Sequence, residues 1–163
     1  PTPTPTPTPV PDTGASLVLF EDGLNFTNGA TAFAQGYGSS TRLSEAGEPA
    51  LDDVSFRLTA GSYAQAGVAY GRQITAETGF LQFDIFRPTG SGGELILRYN
   101  GYTELTLNAS NYGLWTIEGV DSAAALWELP LDEWSHITID VAGLIGTGVT
   151  LNAITVKLSL IHI

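Results

Sequence analysis

Apolar and polar residues alternate in short runs through most of this chain, and Gly, Asn, Asp or Pro stand between the runs. Alternation with period two puts one set of side chains on each face of an extended backbone, so it spells half-buried strands joined by turns. "FLQFDIF" (80–86) sets Leu81, Phe83 and Ile85 against Gln82 and Asp84. "ELILRY" (94–99) groups Leu95, Leu97 and Tyr99, and "TELTL" (103–107) sets Leu105 and Leu107 against Glu104 and Thr106. "WSHITIDV" (134–141) turns Ile137, Ile139 and Val141 inward and His136, Thr138 and Asp140 outward. "LNAITVKL" (151–158) sets Ile154 and Val156 against Thr155 and Lys157. "SLVLF" (16–20), "VSFRL" (54–58) and "LWTIE" (114–118) complete the set. No segment keeps a 3.6-residue period beyond about two turns; the one helical rival, "DSAAALWEL" (121–129), runs into Pro130. Many short strands, each with one apolar face, predict an all-β, antiparallel β-sandwich of jelly-roll type.

Two segments break the pattern. "PTPTPTPTPVPDTG" opens the chain, and a proline at every second position refuses both helix and central strand. Such a run is an extended spacer, and residues 1–12 span about 40 Å at ~3.1 Å per residue. We read residues 1–13 as an inter-module tether and residues 14–157 as the folded module. Residues 29–50, "GATAFAQGYGSSTRLSEAGEPA", are small, polar and weakly periodic, and read as a long functional or mobile loop.

Charge narrows the partners. Six Lys and Arg stand against 17 Asp and Glu, a net charge of −11. That balance argues against nucleic acid, whose affinity comes largely from cations on phosphates, and against docking on an anionic membrane. Without Cys there is no thiol catalysis and no zinc–thiolate site. No apolar stretch reaches the roughly 20 residues of a membrane span.

The order of these segments resembles the galactose-binding-like jelly rolls that serve as carbohydrate-binding modules in secreted bacterial polysaccharide-degrading enzymes. The residues that carry the likeness are the Pro-Thr linker, "SLVLFEDGL", "GFLQFDIFRP", "GELILRYNG" and above all "LPLDEWSHITIDVAGL" before "LNAITVKL". The resemblance implies a monomeric, non-catalytic module, secreted or on a bacterial cell surface, covalently linked to a catalytic or surface module. It also implies one structural Ca²⁺ beside the first strand, at Glu21 or Asp22. Asp52 and Asp53 are a second, weaker pair of hard carboxylates read from the residues alone. Family members close the sandwich with a further strand. Here "LSLIHI" (158–163) stands in its place and resembles a translated sequencing-adapter end. On that reading the chain is a gene fragment from environmental DNA, with a non-native tail after Lys157 and its last strand lacking.

Enzymatic readings fare poorly. His136 lies on a strand without the tight serine turn that a triad requires. Glu94, Glu104, Glu118 and Glu128 fall where strands display acids to water routinely, so a glycosidase pair is disfavoured. The expectation is therefore no catalytic residue. Polysaccharide binding fits better, because flat rings match the apolar faces of sugars and amides, Arg and carboxylates match their hydroxyls. "RYNGY" offers Arg98, Asn100 and Tyr102; "NYGLW" offers Asn111, Tyr112 and Trp115; "ALWEL" offers Trp127; "QGYGSS" offers Tyr37. Trp115 and Trp127 read equally as platform or core, whereas Tyr99 and Trp134 are expected in the core. The sequons at Asn25 and Asn108 are treated as chance. The competing function is a structural or adhesive spacer of a cell-surface protein with the same fold and linker.

Overall fold

The computed structural model describes residues 20–22, 25–26, 28–35, 42–46, 55–59, 65–75, 79–90, 93–122 and 129–157. Every paired strand among them is antiparallel. In chain order the strands are β1 (Phe20–Asp22), β2 (Asn25–Phe26), β3 (Thr31–Gln35), β4 (Arg42–Ala46), β5 (Ser55–Thr59) and β6 (Gln65–Gln73). Then follow β7 (Phe80–Phe86), β8 (Glu94–Tyr99), β9 (Thr103–Thr106), β10 (Trp115–Ile117), β11 (Trp134–Asp140), the helix α1 (Val141–Ile145) and β12 (Thr150–Lys157). A larger sheet has the order β3-β6-β12-β8-β9, and a smaller one the order β10-β11-β7. β1 pairs with β2 and β4 with β5.

The core lies between the two sheets. Leu95 and Leu97 of β8, Leu107 after β9 and Leu151 of β12 pack in one buried cluster with Trp115, Ile117, Ile137 and Ile139 of the smaller sheet. Leu81, Phe83 and Ile85 of β7 and Ile154 and Val156 of β12 close its sides. Most of these residues are those whose alternation marks the apolar face of a strand; Leu151 has the other parity and joins them because a bulge between Leu151 and Ala153 shifts the register. Two such faces brought together make a β-sandwich. The outward set of β11, His136, Thr138 and Asp140, alternates with the buried Ser135, Ile137 and Ile139 as expected.

Four expectations are corrected. Residues 29–50 are not a plain loop, because β3 and β4 lie within them. β6, which has no counterpart among the predicted strands, lies inside the larger sheet between β3 and β12. In β3 (TAFAQ) and β6 (QAGVAYGRQ) the large apolar residues are few and are interspersed with Ala or Gly, which gives little contrast between faces. α1 also escaped prediction, since a five-residue helix is too short to show a period. It is set locally: the Gly143 N–H donates to Asp140 Oδ1 at 2.7 Å, and Gly146, with φ 87°, ends it. Lastly, Trp134 is absent from the core. It is half-buried on the outward side of β11, where its ring meets Phe86 edge to face at 5.6 Å. No helix among the described residues is long and apolar enough to cross a membrane.

Candidate functional site

The "NYGLW" segment builds structure rather than an open platform. Trp115 is 2% exposed, so neither face of its ring is presented to a ligand. Its parity explains this: Trp115 and Ile117 point the same way on β10, into the sandwich. The indole N–H donates to the Asn108 carbonyl at 3.1 Å and to Asn111 Oδ1 at 2.9 Å. Asn111 is committed as well, its Oδ1 accepting from the Asn108 N–H at 2.9 Å and its amide donating to the Thr106 carbonyl at 2.9 Å. Tyr112 stands edge-on to Trp115 at 5.0 Å. Its hydroxyl accepts from the Ile117 N–H at 3.0 Å and donates to the Val120 carbonyl. As stacking platforms, Trp115 and Tyr112 are therefore corrected to core and bracing roles.

"RYNGY" divides into a brace and one exposed ring. Asn100 and Gly101 take φ of 45° and 90°, the left-handed region that Asn and Gly enter most readily, in the three-residue turn between β8 and β9. The turn is pinned to β12: the Asn100 N–H donates to the Thr150 carbonyl at 2.9 Å, and the Gly101 N–H to Asn152 Oδ1 at 2.7 Å. Tyr102 at its tip is 93% exposed. Arg98 donates to Gln65 Oε1 at 2.9 Å and to Glu104 Oε1 at 2.8 Å, and Lys157 reaches Glu104 Oε2 at 3.4 Å. The hydrogen bond from Arg98 is the main reason that the Glu104 carboxyl is held below its ordinary value. Arg98 thus ties strands together across the larger sheet, and does not stand beside Trp115. Tyr37, Trp127, Asp52 and Asp53 lie outside the described residues, as do the side chains of Glu21 and Asp22.

The described residues best arranged for a ligand are on the outward face of the smaller sheet. β11 lies between β10 and β7, with Trp134 opposite Phe86, His136 opposite Asp84, Thr138 opposite Gln82 and Thr116, and Asp140 opposite Phe80. Two cross-strand hydrogen bonds order the middle rows. His136 Nδ1 pairs with Asp84 Oδ1 at 2.9 Å, and Gln82 donates to the Thr138 hydroxyl at 3.5 Å. Gln82, Asp84 and Phe80 are exposed. A half-buried Trp and Phe therefore flank a row of amide, carboxylate, imidazole and hydroxyl groups on a regular sheet. Rigid strands hold such groups more accurately than loops do. The signal for this face was present in the sequence, because Trp134 shares the parity of His136 and Thr138.

A latch fixes the aromatic end of that face. Both Asp132 oxygens accept from Thr89, Oδ1 from its N–H at 2.8 Å and Oδ2 from its hydroxyl at 2.6 Å, while the Asp132 N–H donates to the Arg87 carbonyl at 2.8 Å. The latch joins the loop after Phe86 to the turn before Trp134. The Thr89 hydroxyl and then its N–H hold the Asp132 carboxyl below its ordinary value of 3.8. A carboxyl lowered on folding contributes stability that is complete above its unfolded value and is lost as pH falls through its folded one. Asp132→Asn keeps a residue suited to the φ of 58° found there. It is expected to lower the melting temperature at neutral pH, with the gap to wild type closing as pH drops below 3.8. Melting scans across the acid range check this; a gap that stays constant down to the most acid point would show that the latch carries no charge-dependent stability.

Among the described residues no group of three or more His, Asp or Glu is placed to hold a metal ion. Comparison of the chain with protein-family models, curated proteins and solved structures finds no match.

Proposed function

We propose that this chain is a non-catalytic polysaccharide-binding module that holds a linked catalytic module on its substrate. The observation that carries this reading is the outward face of β7, β11 and β10, where Trp134 and Phe86 adjoin Gln82, Asp84, His136 and Thr138. Aromatic faces pack against the apolar C–H faces of sugar rings, and the side chains beside them exchange hydrogen bonds with the hydroxyls. The platform is Trp134 rather than Trp115. Tyr102 supplies a separate exposed ring at the hairpin tip.

The Pro-Thr run supports the same reading. A stiff spacer keeps a binding module and a second module on one polypeptide at high effective concentration, so modest affinity per sugar suffices. The galactose-binding-like jelly roll, the monomeric state and a bacterial secreted or cell-surface location belong to this proposal. A structural calcium at Glu21 or Asp22 belongs to it too, and no step of binding runs through the ion.

Affinity electrophoresis of the full chain through cellulose derivatives, xylan, mannan, β-glucan, pectin and soluble chitin tests the proposal. The expected result is retardation by at least one glycan, with Trp134→Ala weakening it about tenfold or more. Trp134 lies outside the core cluster, so the variant is expected to keep its cooperative melt. A folded chain that ignores every glycan would leave the structural or adhesive spacer as the reading.

A further inference from the structure

The face that carries the proposed function also constrains which polysaccharide it takes. Its positions are Phe80, Gln82, Asp84 and Phe86 on β7, Trp134, His136, Thr138 and Asp140 on β11, and Thr116 on β10. No Lys or Arg stands among them, and two carboxylates do. Glu118, which follows Thr116 and Ile117 and bonds through its N–H to the His136 carbonyl at 3.0 Å, adds an exposed third. The whole chain carries −11. Uronate or sulfated chains laid on this face would meet like charge, which costs affinity and slows encounter.

The apolar groups stand at the two ends of the face. Trp134 and Phe86 form one end, and Phe80, 40% exposed, stands at the other. Leu114, also 40% exposed, extends the Phe80 end, because its carbonyl accepts from the Asp140 N–H at 2.7 Å. Phe80 and Phe86 are six strand steps apart, roughly 20 Å at ~3.4 Å per residue. The hydrogen-bonding side chains lie between them. A single sugar covers one end only, whereas a chain running parallel to β7 and β11 covers both ends and the polar middle.

We propose that the ligand is a neutral glycan chain bound in extended form along β7 and β11, anchored at Trp134–Phe86 and again at Phe80. This rests on the polysaccharide-binding reading and adds charge, direction and length to it. Asp140 is held for this geometry by its own local bond to the Gly143 N–H, so it stays beside Phe80 as a fixed polar neighbour.

The test is calorimetric titration of the full chain, wild type, Phe80→Ala and Trp134→Ala, with neutral oligosaccharides of rising length from whichever glycan retards it, and with polygalacturonate. Cooperative melts of both variants are checked first. Wild-type affinity is expected to rise with length by about tenfold or more once the chain spans both ends, then to level off. Phe80→Ala should reduce long oligosaccharides to the affinity of short ones and leave short ones unchanged, while Trp134→Ala weakens both. Polygalacturonate should bind at least about tenfold more weakly than the neutral polymer. Tight polygalacturonate binding that is lost in Trp134→Ala, or length-independent affinity with no effect of Phe80→Ala, would overturn this inference and leave the polysaccharide-binding reading standing. Absence of heat with every glycan would overturn both.

Discussion

Trp115→Ala is expected to cost about 3–5 kcal/mol of folding stability, the range for removing a large buried aromatic. Three losses coincide at this site. The ring is 2% exposed and belongs to the cluster that joins both sheets, so its removal opens a cavity between them. Its N–H bonds to the Asn108 carbonyl and to Asn111 Oδ1 disappear, and they hold the turn that leads from β9 towards β10. Tyr112 loses the ring it stands edge-on to at 5.0 Å. Trp115→Phe keeps most of the apolar volume and removes the donor, so it should cost clearly less than the alanine variant. Urea unfolding followed by circular dichroism measures both, read as midpoints at constant slope. A midpoint unmoved in Trp115→Ala would mean that the ring is not buried where the structure puts it, and would return Trp115 to the list of ligand platforms. Because the core and the proposed ligand face are on opposite sides of the small sheet, whatever fraction of Trp115→Ala stays folded should still bind glycan.

The contrast between Trp115 and Trp134 shows what could be read in the sequence and what could not. β7 and β11 were legible because each alternates strictly, and strict alternation is what one buried face imposes. In β8 and β12 both faces are covered, since Ile96 and the opposite Thr155 are buried as well as Leu95 and Leu97, so the polar Thr155 is not the outward residue its alternation suggests. The same alternation places Trp134 with His136 and Thr138, outward, and Trp115 with Ile117, inward. The expectation that Trp134 lies in the core follows the inward isoleucines of its strand but not its own parity, which is that of His136. The bonds of Asn111 and Asn100 were not legible. An amide beside a tyrosine looks the same whether it faces a sugar or, like Asn100, accepts from the Thr150 N–H 50 residues away. The exposure of Tyr102 follows from a turn that Asn-Gly does announce, since these two residues enter positive φ most readily and both take it here. β3 and β6 were illegible for a different reason. Gly67 of β6 serves close backbone approach to β12, and such a position adds nothing to an apolar face that could be detected.

Gly67→Ala makes that last point measurable, and its expected effect is the second large one. Gly67 of β6 stands opposite Thr155 of β12 and Phe33 of β3. A Cβ at Gly67 would lie 1.9 Å from the Ile154 carbonyl oxygen and 2.9 Å from Thr155 Cα. Those atoms are backbone, so no rotamer change relieves the clash; β12 or β6 itself has to move. Overpacking of side chains usually costs about 1–3 kcal/mol, and a clash with a paired strand should reach or exceed the top of that range. Gly71, on the same strand, is the control. It has φ of 62° and open space around its Cβ position, so Gly71→Ala should cost only the left-handed strain of about 1–2 kcal/mol. Amide exchange separates the two. Gly67→Ala should speed exchange along β12 from Ala153 to Lys157, the stretch that pairs with Gln65–Ala69, while Gly71→Ala should leave that stretch protected. If both variants cost the same and β12 stays protected in each, then β6 does not need a bare backbone at Gly67. The weak alternation of β6 at that position would then have to come from something other than close strand approach.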